Sequence, residues 1–131
     1  MGKMEETTLD EALSLVKEDV DALRATEPVV LGLANPPNSH GVYVFMWANE
    51  VVYVGEAKGS KGLRDRFNKH ISGDDGHALQ NAFASEFPDR SERRNHIKKI
   101  HVRWWTIEDP HRISAVERIL IWLYRPKYNR K

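Results

Sequence analysis

Cysteine is missing from the 131 residues, which excludes disulfides and thiolate metal sites and makes a reducing compartment the expectation. Long apolar runs are missing too, since no stretch approaches the ~18 residues of a membrane span. The opening Met1-Gly2-Lys3-Met4-Glu5-Glu6 lacks the apolar core of a signal peptide. A cytoplasmic protein without a membrane partner is therefore expected. Net charge is almost absent as well, at +1, which argues against a uniformly basic nucleic-acid binder.

That near-neutrality averages two unlike parts. Residues 1–27 hold eight acids against three bases, −5, whereas residues 28–131 hold seventeen bases against eleven acids, +6. The bases cluster at Arg90, Arg93, Arg94, Lys98, Lys99 and Arg103. Such a patch draws phosphate backbones through counterion release, although alone it is equally a solvated basic face.

A chain of this length fits one globular unit. Thr8-Leu9-Asp10-Glu11 reads as a capping box, and Leu9, Leu13, Val16, Val20 and Leu23 follow at helical spacing to about Ala25. This amphipathic helix, with its linker to residue 35, is expected to pack on a domain spanning 36–131. A weak homodimer through the helix is the alternative to a monomer. After the Pro/Asn-rich loop 33–39, Val42–Trp47 and Val51–Gly55 read as strands around the turn Ala48-Asn49-Glu50. A glycine-interrupted loop over 58–62 precedes a helix over Leu63–Ser72, and another is expected over about 78–86, before Pro88. Ile100–Ile107 reads as a third strand. Asp109-Pro110 opens a last helix that runs to about Arg125, where Pro126 stops it. The predicted class is α/β (α+β), a small, mostly antiparallel three-stranded sheet flanked by helices.

Two tripeptides stand out, Gly41-Val42-Tyr43 and, ten residues on, Tyr53-Val54-Gly55, one on each arm of the hairpin. Tyrosine packs commonly across hairpins, so the pair alone says little. Glu117 is the more telling residue. It falls inside the apolar stripe Ile113, Val116, Leu120, Ile121 and Tyr124, where an ionised carboxylate is costly unless a cation or strong donors meet it. Its oxygens suit Mg²⁺ or Mn²⁺; a snorkelling glutamate or a salt bridge to arginine is the plainer alternative. Arg66 and His70, four apart, leave the same side of their helix and flank the stripe Leu63, Phe67 and Ile71. Arg66 offers planar donors that stay charged, and Arg64 projects from the other flank.

These elements in order, Gly41-Val42-Tyr43, Tyr53-Val54-Gly55, Leu63-x-x-Arg66-x-x-x-His70, Glu117 and Pro126-Lys127-Tyr128-Asn129, resemble the GIY-YIG nuclease superfamily from about residue 40 to the C-terminus. The resemblance implies a metal-dependent endonuclease that hydrolyses DNA phosphodiesters with Mg²⁺ or Mn²⁺ held by Glu117. It implies Tyr43, Tyr53, Arg66, His70 and Glu117 as catalytic residues, supported by Gly41, Gly55 and Asn129. Tyr43 would take a proton from the attacking water, with His70 as helper or alternative base, and Asn129 would tie the tail back. Lys58, Lys61, Arg93, Arg94 and Lys98 are the candidate DNA contacts. Glu56 departs from the family pattern and would either repel phosphate or lend a second metal contact. His40, His77, His96, His101 and His111 follow no ligand spacing and read as surface residues. Two other functions remain open: a nucleic-acid-binding module that kept the fold and lost turnover, and a nuclease acting on RNA or branched DNA.

Overall fold

The computed structural model describes residues 7–72 and 85–129. Helix α1 (Leu9–Ala25) opens as its capping threonine predicts, Thr8 Oγ1 accepting from the Glu11 amide at 3.1 Å. Strand β1 (Val29–Val30) leads through a 3₁₀ turn into the hairpin of β2 (Gly41–Trp47) and β3 (Glu50–Ala57). Ala48 and Asn49 both take positive φ, 53° and 66°, forming the two-residue turn whose twist suits a tight hairpin. Helix α2 (Gly62–Ser72) follows. Then come α3 (Arg90–Lys99), β4 (His101–Thr106) and α4 (Pro110–Tyr124), the last capped by Asp109 and closed by Arg125 in the left-handed region. The sheet is antiparallel in the order β1-β4-β2-β3, so β3 is an edge strand.

One expectation changes and two features go beyond the sequence reading. The sheet has four strands, because the two-residue β1 pairs with Val102 and His101 of β4; two residues carry no readable period. Arg90–Lys99 is a helix, capped by Asp89, whereas the sequence shows there only a run of charge around one buried residue, Ile97. The two tyrosines are also not opposite one another. Tyr43 faces Gly55 and Phe45 faces Tyr53, while Val52 is an extra residue bulged out where the register shifts. Most of the helix expected over 78–86 lies outside the described residues; Ser85 and Glu86 at its end are helical.

The sheet separates two cores. On one face Tyr43, Phe45 and Tyr53 pack with Leu63 and Phe67 of α2, Ile97 of α3, Leu31 and Tyr128. On the other Val42, Val44 and Val54 pack with Val20 and Leu23 of α1 and with Ile113, Val116 and Leu120 of α4. Asp19 of α1 is 2 % exposed and receives the Arg112 guanidinium at 2.5 and 2.8 Å and the Trp105 indole N–H at 3.1 Å. This buried carboxylate therefore fastens α1 to α4 and β4. Only the inner half of the α1 stripe is covered, and Leu9 and Leu13 stay exposed.

Candidate active site

The two motif glycines are explained by what lies against them. A β-carbon on Gly55 would run into the phenol of Tyr43, which crosses the neighbouring strand at that point; one on Gly41 would run into the Trp105 carbonyl of β4. Tyr43 is thus laid flat in a slot that only glycine leaves open. Its ring contacts Phe67 edge-on at 5.2 Å and lies 6.2 Å from Tyr53.

The Tyr43 hydroxyl lies 2.7 Å from His70 Nε2, and both residues are fully buried. His70 does not merely flank the apolar stripe of α2, as its spacing suggested. It occupies the stripe three residues after Phe67, while Ile71 is only half-buried. The imidazole also meets Phe45 and Tyr53 edge-on at 5.1 and 5.8 Å. A buried phenol and imidazole at this distance can pass a proton between them. Arg66, one turn earlier, is half-buried. Arg64 Nε instead donates to the Pro36 carbonyl at 3.1 Å and steadies the loop before β2.

On the opposite side of β3 a charged group has formed. Glu117 of α4 is half-buried, and burial, followed by the charge and hydrogen bond of neighbouring Glu56, pushes its carboxyl up to about 7 against the pull of Arg118 and Lys58. Lys58 Nζ stands 3.2 Å from Glu56 Oε1 and bonds the Ser114 hydroxyl one turn from Glu117. Asn129 clasps the backbone of Val54 twice, Oδ1 accepting from its N–H at 2.8 Å and Nδ2 donating to its carbonyl at 2.9 Å. Tyr128 anchors that tail through a 2.7 Å bond to Glu86, and together with burial this bond raises the phenol pKa well above its ordinary value. The two groups therefore lie on either side of the Tyr53–Ala57 end of β3, with Lys58 just beyond it.

A family model for the GIY-YIG catalytic domain matches residues 39–129. The chain belongs to the GIY-YIG family. Over 97 residues it is 29 % identical to the UvrABC system protein C of Aquifex aeolicus, covering 74 % of this chain and 14 % of that protein. The chain thus spans about a seventh of that relative's length. Its fold also resembles the GIY-YIG N-terminal endonuclease domain of UvrC from Thermotoga maritima. The form bound to its catalytic divalent cation, magnesium, has a TM-score of 0.52 and 23 % identity over 76 % of this chain and 91 % of that one. A point mutant of the same domain, also bound to the cation, has the same TM-score at 22 % identity.

The GIY-YIG residues present here fit a divalent cation. Glu56 Oε2 is buried and meets no hydrogen-bond donor among the described residues apart from the neighbouring Glu117 carboxyl, which burial keeps from ionising readily. A hard cation would neutralise both. No group of three or more His, Asp or Glu suited to a metal occurs among the described residues. Mg²⁺ needs none, since it takes one or two carboxylates and fills its shell with water and phosphate oxygen.

The candidate backbone contacts divide. Lys61, Arg94 and Lys98 are exposed, and Lys58 borders the carboxylates. Arg93 is turned inward and donates to the Phe87 and Pro88 carbonyls at 3.0 and 3.4 Å. His96 is no ordinary surface residue. It stacks on Phe87 at 4.3 Å and meets Trp47 at 4.6 Å, and burial lowers its pKa. His77 lies outside the described residues. Sequence reasoning missed Ser114 and the Asp19–Arg112–Trp105 cluster, whose members have no periodic or motif spacing. Among the described residues no helix is long and apolar enough to cross a membrane.

Proposed function

We propose that this chain is a metal-dependent endonuclease that hydrolyses DNA phosphodiester bonds. The observation that carries the reading is the Tyr43–His70 hydrogen bond on one side of β3 with the Glu56–Glu117 carboxyl pair on the other. Glu117 would hold the divalent cation, and Glu56 would add a second carboxylate oxygen. When bound, the cation would supply Lewis-acid stabilisation of charge on the phosphate and leaving oxygens. Arg66 binds the phosphate and stabilises charge that grows on its oxygens. His70 Nε2 takes the Tyr43 phenol proton as the phenol oxygen accepts that of the attacking water, so the proton released from water ends on the imidazole. Tyr53 orients water and phosphate, and Asn129 holds the β3 backbone in place. Lys58 neutralises Glu56 and reaches toward phosphate, while Lys61, Arg94 and Lys98 attract the duplex from outside the site. Arg93 serves this surface through its charge alone, its guanidinium being engaged with backbone carbonyls.

The deciding experiment incubates the pure chain with plasmid, branched and single-stranded DNA and with RNA, each in Mg²⁺ and in chelator. Cleavage of DNA that requires Mg²⁺ is the expected result. Intact substrates under every condition, with binding retained, would assign the chain to a binding role instead.

A further inference from the structure

Helix α4 carries more than Glu117. Five residues after it, Trp122 is 71 % exposed, the most exposed aromatic side chain on the described surface. A bare indole is costly to leave in water, and exposed Leu123 beside it adds to that apolar surface. Arg118, Trp122 and Arg125 share one helix face at i, i+4 and i+7, and all three are exposed. From Arg118 to Lys131 the chain has five bases and no acid. Ile121, Trp122, Arg125, Pro126 and Asn129 line a shallow pocket of about 280 Å³.

This pocket borders the site already described. Asn129, at one wall, is the residue that clasps Val54 beside Tyr53, and Arg118, on the indole's face, acts electrostatically on Glu117. Trp122 stands about 7.5 Å beyond Glu117 along the helix axis and about 140° around it, so the indole borders the carboxyl site rather than facing into it. An indole between two guanidinium groups suits a π-face joined to phosphates. A nucleobase offers that face only when it is unstacked, because duplex neighbours cover it. Two exposed guanidinium groups on the indole's own helix face, Arg118 and Arg125, favour this occupant over an apolar protein partner.

We propose that Trp122, flanked by Arg118 and Arg125, is a stacking platform for an unpaired base close to the cleaved bond. It would give the site a preference for single-stranded or locally opened substrate. The inference rests on the nuclease reading above and narrows its substrate class.

The test measures binding of a labelled single-stranded oligonucleotide and of its duplex, in chelator so that nothing is cut, by fluorescence anisotropy. Trp122→Ala is expected to weaken single-strand binding about 5- to 150-fold and to change duplex binding by less than about twofold. Trp122→Phe, which keeps a ring, should restore most of the affinity. An unchanged melting temperature for both variants separates stacking from misfolding. Equal loss on both substrates, or no loss on either, overturns the stacking role while leaving the nuclease reading intact. A wild-type chain that binds neither substrate overturns both. Self-association that Trp122→Ala abolishes, with single-strand affinity retained, gives this face to a second copy and also overturns the proposal.

Discussion

The two faces of the sheet are packed by different rules. One face is aromatic, with Tyr43, Phe45, Tyr53, Phe67 and the imidazole of His70 meeting at fixed tilts and one hydrogen bond. The other is aliphatic, built on Val42, Val44, Val54, Val116 and Leu120, and its polar groups gather at its margins as Glu56–Glu117 and Asp19–Arg112. Valines tolerate exchange for other aliphatics of similar volume, but a phenol laid over a glycine and bonded to an imidazole does not. The edge strand β3 joins the two, sending Tyr53 and Gly55 to the aromatic side and Glu56 to the other. In the proposed mechanism, proton handling belongs to the rigid aromatic face and charge compensation to the margin of the aliphatic one.

The sharpest break of that division is Glu117→Gln. It keeps the side-chain shape and removes the charge that a cation requires, so cleavage should fall by at least about 10²-fold with the fold intact. Isothermal titration with Mg²⁺ should show binding lost. Normal turnover would reduce the carboxyl pair to a structural feature. On the aromatic face, Tyr43→Phe keeps the ring contacts and should cost no more than about 1–2 kcal/mol of stability. Single-turnover cleavage should nevertheless drop about 10²- to 10⁴-fold if the phenol takes the proton. Wild-type speed for Tyr43→Phe beside a dead His70→Gln would make the imidazole the base.

The next two effects are on stability and act on opposite faces. Asp19→Ala leaves Arg112 and the Trp105 N–H without their partner and should lower stability by about 2–3 kcal/mol, below the full cost of breaking a buried pair because Arg112 reaches water. Chemical denaturation measures this, and cleavage by the folded fraction should not change. Gly55→Ala forces a methyl into the Tyr43 phenol and should cost about 1–3 kcal/mol. That loss should shrink in a Tyr43→Ala background, a non-additivity expected only if the two residues compete for one space.

How far the sequence shows these faces depends on what each is made from. The paired tripeptides, the Arg66–His70 spacing, Glu117 within an apolar stripe and the terminal Asn129 are local patterns, and of the residues they single out Tyr43, His70 and Asn129 pack on or beside β3. Depth was not legible. Spacing put His70 on a flank, and only the hairpin packed against α2 shows that the imidazole is buried against Tyr43. Strand β1 is too short for a period, α3 has too few apolar residues for a stripe, and the bulge at Val52 moved the tyrosine register. The Glu56–Glu117 contact joins residues from separate elements, which no local spacing encodes.

The smallest expected effect tests whether the aliphatic margin is tuned for a cation. In chelator Glu117 titrates near about 7 when folded, against a carboxyl value near 4.5 when unfolded. Between those values the folded state holds the extra proton, so stability falls as pH rises through the window and levels off above it. For a half-buried group, screened by solvent, the fall is on the order of 1 kcal/mol. Thermal melts from pH 5 to pH 8 should show this slope in the metal-free wild type and lose it in Glu117→Gln. Adding Mg²⁺ at pH 8 should then raise the wild-type melting temperature and leave the variant's unchanged, because only an ionised pair gains from the cation. A wild-type slope identical to the variant's would mean that Glu117 is ordinarily solvated and that Glu56 does not oppose its charge.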